Sequence, residues 1–265
     1  MKERVFSLVL LILMSALAQS QQYDTIKIDA AKLRIKQLNT GRHEWLVYTK
    51  AGKDSSRKRF MIWRRDAAWV DYNSKKAIKI VQEWESNDTI VHKAQSICNA
   101  DSFSPLWQKK WTQGQGETEF DFEKNKAVIN GIELSGTDTA RAKKRVYDAF
   151  QKALTDQNVL NWHLDLEAFQ LLPYKQNAVF AINFYDPGFS APRLQYYTVT
   201  GTDQLITSGK QPVDCWLLSH KVSETRYETF WVNKKTFEVM KLEQITDNTY
   251  RYKIKLAFTD KSKDI

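Results

Sequence analysis

Apolar and polar positions alternate most cleanly near the C-terminus. In YRYKIKLAF, Tyr250, Tyr252, Ile254, Leu256 and Phe258 share one face, and Arg251, Lys253 and Lys255 share the other. A period of two marks a β-strand with one face buried, and a one-residue slip would bury the basic set instead. The pattern predicts that the even positions line a core or cavity and that the basic positions face water. Shorter runs of the same kind fill the stretch from Trp45 to Cys98: EWLVYTK, RKRFMIWRRD, AAWVDY, AIKIVQEW and DTIVHKAQSIC. Turn clusters AGKDSS, YNSKK and ESND separate them, so this half reads as a β-meander. TEFDFE and KAVINGIEL add two strands around a turn at Glu123–Lys126. NAVFAINFYDP, LQYYTVTG, DCWLLSHK, RYETFWVN and TFEVMKLEQ continue the series in the C-terminal half.

One segment breaks the period. From Thr139 to Leu154, Ala142, Val146, Ala149, Phe150 and Ala153 recur at helical spacing, while Arg141, Lys144, Arg145 and Lys152 occupy the opposite face. Thr137 or Asp138 is the expected cap, and NWHLDLEAFQLLP adds a short second helix before Pro173. Strands, a helix and then strands argue against an alternating α/β sheet. The expected architecture is mainly β: an antiparallel sheet with one wetted face and the helix packed across its concave side. Its rival is a two-sheet sandwich. Val146 and Phe150 are expected to meet the even positions of the last strand across the hollow.

Trp69–Val81 and Trp231–Met240 share an order of Trp-Val, an Asp or Asn, a Lys pair and a β-rich run. Two hairpins with Asx and Lys at exposed turns account for this without a repeat.

Composition sharpens the picture at two points. Nine Trp, eleven Tyr and thirteen Phe, against nine Gly and five Pro, describe an ordered, aromatic-rich body. Such rings either fill the wide core of a curved sheet or line a pocket. The N-terminus MKERVFSLVLLILMSALAQ joins a charged start to an apolar run and the small-x-small Ala16-Leu17-Ala18, the grammar of a cleaved signal peptide. Residues 1–18 are thus expected to be removed, leaving 19–265 as a single exported domain with no transmembrane span. Removing Lys2, Glu3 and Arg4 lowers the formal charge of +9 by one, so the mature chain stays basic. An exported basic protein meets anionic lipid, glycan or wall polymer rather than nucleic acid. Cys98 and Cys215 then meet an oxidising compartment, where a long-range disulfide and two buried thiols are both open readings.

Catalytic signatures are missing. There is no phosphate-binding Gly loop, nucleophile elbow or HExxH, and Ser55 and Lys58 match Ser-x-x-Lys only within a charged turn. His163, Asp165 and Glu167 in HLDLE form the tightest His–carboxylate group, but metal ligands converge from several elements, so a capped or solvated turn is the better reading. No catalytic, metal or cofactor residues are assigned.

The segments LPYKQNAVFAINFYDP, YYTVTGTDQL, DCWLLSH and TFWVNKKTFEVMKLE, in that order, resemble exported Bacteroidetes-type bacterial proteins of unknown function. ICNADSFSPLWQKKW and ETEFDFEKNKAVINGIEL fit the same series. Their fold is similar to that of the LolA/LolB lipoprotein-sorting family, in which a curved sheet holds helices in its concavity and LolA-type members bind acyl chains; the resemblance implies a curved antiparallel sheet, an open half-barrel with one or two helices against its concave face. The resemblance implies a periplasmic or secreted, non-enzymatic carrier for a lipid-like ligand or a lipoprotein acyl chain. It carries no catalytic residue, and the absence of a Cys after the apolar run departs from a lipid-anchored LolB. The alternatives are an interaction module with a filled core or, further off, a hydrolase with an unrecognised site.

Overall fold

The computed structural model describes residues 23–206 and 210–256. The expected signal peptide and Phe258 lie outside them. In chain order the elements are β1 (Asp24–Lys27), β2 (Gly41–Ala51), β3 (Lys58–Tyr72), β4 (Lys75–Ser86), β5 (Thr89–Asn99), β6 (Pro105–Thr112), β7 (Gly116–Asp121), β8 (Lys126–Ile129) and β9 (Ile132–Glu133). Helix α1 (Arg141–Thr155), β10 (Val159–Asn161) and helix α2 (Asp165–Gln170) follow. The chain then forms β11 (Ala178–Asp186), β12 (Ser190–Ile206), β13 (Pro212–Ser223), β14 (Arg226–Asn233), β15 (Val239–Thr246) and β16 (Thr249–Leu256).

Local chemistry fixes the hairpins. Asn73-Ser74, Asn87-Asp88 and Asn130-Gly131 each place two successive residues at positive φ between paired strands. That is the type I′ geometry whose twist matches the flanking strands, and Asn, Asp and Gly tolerate it best. The two look-alike segments turn differently. Asn73-Ser74 closes a two-residue loop, whereas Asn233 caps a longer one by accepting from Lys235 N and Thr236 N, with Phe237 at positive φ.

All strands among the described residues belong to one curved sheet that does not close, as the resemblance implies, and not to the two sheets of a sandwich. Its order is β1-β11-β12-β13-β14-β15-β16-β2-β3-β4-β5-β6-β7-β8-β9, with β10 also on β11. Two antiparallel meanders are therefore joined by the pairing of β16 with β2, from Thr249↔Ala51 to Leu256↔Glu44. The last strand stands in the middle of the sheet. Sequence periodicity had no signal for β1 and β10, which pair parallel to β11 and cover its open side.

The inner face holds two apolar cores. The larger gathers Trp45, Trp63, Ile78, Ile80, Phe180, Phe230 and Val232 around Leu166 and Phe169 of α2. The short helix, not the long one, thus fills the main concavity. Phe150 of α1 is fully buried in the smaller core with Phe120, Ala127 and Tyr185, while Val146 is only partly buried and Ala142 is exposed. This places α1 where the β7–β8 and β11 ends of the sheet approach each other. Lys110 Nζ on β6 also donates to Pro187 O at 3.2 Å, between β11 and β12. Helix α1 has no side-chain cap, since Ala140 precedes it and Asp138 instead accepts from Ser135 N.

The orientation of β16 overturns the expectation drawn from its pattern. Lys253 is 4% exposed, and the Lys255 side chain is 5% exposed. Tyr250, Tyr252, Ile254 and Leu256 sit half-buried on the outer face, where Tyr252 stacks on Tyr48 across the strand pair at 5.0 Å. The basic set points inward because carboxylates from other elements wait there. Alternation specifies two faces, and the company each face finds decides which one is inside.

Candidate functional site

The charged interior is built around α2. Arg65 on β3 is 1% exposed and Glu167 2%, and they form a direct ion pair. The same guanidinium donates to Asp165 Oδ1 at 3.3 Å and to His163 O at 3.2 Å. Lys253 Nζ lies 3.7 Å from Asp165 Oδ2 and 4.5 Å from the centre of the Trp63 ring, which Arg251 also covers at 4.8 Å. Burial, partly offset by Asp165, pushes the Lys253 ammonium down to about 8. Glu228 on β14 accepts from Tyr197 Oη at 3.2 Å and from Gln244 Nε2 at 3.1 Å. Burial, then the nearby Asp165 charge, raises it to about 7.

Register explains how the next group assembles. Trp63, Trp84 and His92 are directly opposite one another on β3, β4 and β5, so their rings stack at 4.0 and 3.9 Å. His92 Nε2 meets His163 Nε2 at 3.0 Å, and its Nδ1 meets Thr112 Oγ1 at 2.9 Å. One Nε2 must donate and the other accept, which requires a neutral imidazole on the accepting side. Burial, with Lys110 and Arg65 nearby, holds His92 down at about 3 and His163 well below its ordinary value. At the other end of the hollow, Lys255 Nζ lies 2.8 Å from Glu238 Oε1, and His43 Nδ1 3.2 Å from it. Burial alone would raise Glu238, but His43 and Lys255 together hold it at about 2.

This lining is ill suited to an acyl chain. Trp63 Nε1, Trp84 Nε1 and Arg65 Nε are buried donors without a protein partner among the described residues, and hydrocarbon would leave them unsatisfied. The space is also taken, since Leu164, Leu166 and Phe169 of the α2 segment are fully buried within it.

An accessible site lies instead along the outside of α1. A groove of about 600 Å³ runs between this helix and the β11–β12 turn, within the usual range for ligand clefts. Val146, Ala149, Phe189 and Ala191 supply its apolar lining, and Phe189 is 59% exposed. Phe189 is held by the Lys110 ammonium, 4.2 Å from its ring centre. Arg141, Lys144, Arg145 and Lys152 supply the rim. Lys144 pairs with Asp148 and Lys152 with Asp156, one helical turn on. Arg141 and Arg145 carry no ion pair among the described residues, and their four-residue spacing sets them side by side.

A family model described as "Protein of unknown function (DUF3108)" matches residues 23–255, which take in nearly every strand described above. The chain belongs to the DUF3108 family. No curated protein matches it. Among solved structures, it is similar to a DUF1329 family protein from Desulfovibrio piger at 10% identity and TM-score 0.31, covering 86% of this chain and 88% of that one. A beta-barrel-like DUF1849 protein from Brucella abortus matches at 10% identity and TM-score 0.35, covering 82% and 97%. A putative outer membrane lipoprotein-sorting protein domain from Vibrio parahaemolyticus matches at 9% identity and TM-score 0.29, covering 89% and 93%. These likenesses give the DUF3108 chain no ligand or activity.

The residues singled out from sequence are scattered by the fold. Phe150 is core, Val146 borders the groove, and Tyr250, Tyr252, Ile254 and Leu256 lie on the opposite side of the sheet from α1's core. Cys98 and Cys215 are two free, buried thiols rather than a disulfide. Burial raises both, Cys215 to about 11. The HLDLE segment is capped, with Asn161 Oδ1 accepting from His163 N at 2.9 Å, but it is buried rather than solvated. Asp165, Glu167 and the His163 carbonyl all accept from Arg65, while the His163 ring turns to His92, and no metal-holding group of His, Cys, Asp or Glu exists among the described residues. Sequence reasoning missed Arg65, His92 and Glu228, and set Lys253 on the water-facing side. Their one local signal was charge inside otherwise apolar strand runs. Among the described residues no helix is long and apolar enough to cross a membrane.

Proposed function

We propose that this DUF3108 protein is an exported, non-enzymatic binding protein of the cell envelope. Its ligand is an anionic amphiphile, with an acyl segment against Val146, Ala149 and Phe189 and a phosphate or carboxylate head on Arg141 and Arg145. One observation carries this reading: two unpaired guanidiniums stand over an exposed apolar lining in a groove of ligand size. Guanidinium suits such heads because its planar donors meet two oxygens at once. The N-terminal signal pattern supports export, and the basic balance suits an anionic partner.

The test is calorimetric titration with dodecyl phosphate and oleate below their micellar concentrations, beside native mass spectrometry of protein purified from its own envelope. Arg141→Ser/Arg145→Ser should weaken binding at least tenfold, equivalent to about 1.4 kcal/mol, without lowering the melting temperature. Phe189→Ser should do the same. If neither amphiphile binds and no lipid co-purifies, the carrier reading falls. The filled concavity favours a second reading, an interaction module with no small ligand, which would then take its place.

A further inference from the structure

A second groove, of about 720 Å³, lies on the outer face of the sheet over β11–β14. Its floor follows from register. Thr198 on β12 is opposite Ser219 on β13, and Ser219 is opposite Thr229 on β14, so three hydroxyls form a row across the strands. Ser219 Oγ lies 3.0 Å from Thr229 Oγ1 and 3.2 Å from Thr200 Oγ1. The Thr198 hydroxyl has no protein partner among the described residues, and each hydroxyl has one donor and two acceptor positions to fill. Three tyrosines flank the row: Tyr23 at 48% exposure, Tyr196 at 51% and Tyr227 at 40%.

The chemistry narrows the occupant. Lys221 and Glu224 at the rim pair with each other at 2.5 Å, so the groove offers no net charge to an ionic ligand. An acyl chain would strip water from the hydroxyl floor without replacing its hydrogen bonds. A pyranose chain satisfies both surfaces. Its hydroxyls donate to and accept from the Thr/Ser row, and its C–H faces, weakly positive, lie on the negative faces of the tyrosine rings. Tyrosine also presents such area at low conformational cost. We infer that the outer face of β11–β14 is a binding site for a neutral glycan, independent of the amphiphile groove on α1.

Affinity electrophoresis of the mature protein through gels containing soluble β-glucan, dextran or glycol chitin tests this. The three gels separate plain glucans from an N-acetylated glycan strand. At least one should retard the wild type. Tyr196→Ala/Tyr227→Ala should cut that retardation at least tenfold at unchanged melting temperature, Tyr196→Phe/Tyr227→Phe should retain most of it, and Arg141→Ser/Arg145→Ser should leave it intact. Wild type unretarded in all three gels, or a folded double-alanine variant retarded like wild type, overturns the inference and leaves the amphiphile site untouched.

Discussion

Replacing Glu167 by Gln would leave the Arg65 guanidinium charged, buried and short of its principal partner. Breaking a buried ion pair from one side costs about 3–5 kcal/mol. Two remaining contacts, to Asp165 Oδ1 at 3.3 Å and His163 O at 3.2 Å, place the expected loss at the lower end. A domain of this size loses roughly 2–4 °C of melting temperature per kcal/mol, so a fall of about 6–12 °C is expected. Arg65→Met should cost a similar amount, because it strands Glu167 and weakens the hold on Asp165. The double variant Arg65→Met/Glu167→Met removes both charges and should recover most of the stability, since a neutral pair of similar volume replaces a buried ion pair at little cost. Urea unfolding followed by tryptophan fluorescence suits the measurement, because Trp63 lies beside this network. Midpoints should move while the slope stays constant. A loss below about 1 kcal/mol for Glu167→Gln, or a double variant as unstable as the sum of its singles, would refute the argument that α2 is held by a buried ion pair.

Acid should act through the neutral His92–His163 pair. His92 is depressed to about 3 in the folded state, so the unfolded chain binds more protons below about pH 6.5, and stability falls as pH drops towards 3. At pH 4 the His92 share is roughly 3 kcal/mol. Glu228, raised to about 7, works in the opposite sense: its protonation favours the folded state below that value, and that stability is lost as pH rises through it. In urea midpoints measured from pH 7 to 4, His92→Gln should therefore be less acid-sensitive than wild type, and Glu228→Gln more so. The inverted register of β16 predicts that Leu256→Lys, on the half-exposed outer face beside Glu44, shifts stability by less than about 1 kcal/mol. Lys253→Glu, placing a carboxylate near Asp165 and Glu228, should cost about 3 kcal/mol or more, and thermal melts separate the two. Both cysteines should resist Ellman's reagent in the native protein and react on unfolding, with no disulfide-dependent shift on non-reducing gels.

Much of the scaffold was legible in local sequence. Asx-rich pairs between β-branched runs set the hairpins, because only a few residues accept two successive positive φ angles. Helical spacing between Thr139 and Leu154 located α1 to within two residues, and Phe150 was rightly placed on its buried stripe. The interior of the half-barrel was not legible, and β16 shows why. Its alternation stated that two chemically different faces existed, and hydrophobicity alone assigned the apolar one inward. The assignment reversed because Asp165, Glu228 and Glu238, distant in sequence, converge on the basic face, while Tyr48 covers Tyr252 from outside. Pairing energies of this kind depend on which elements share a space. Likewise, nothing in HLDLE reveals that Arg65 and His92 will meet it, since they come from other strands of the sheet. Sequence determined most of the elements and their turns; the tertiary structure added β1 and β10 and decided which face holds charge, because a buried ion is tolerable only where its partner has been delivered.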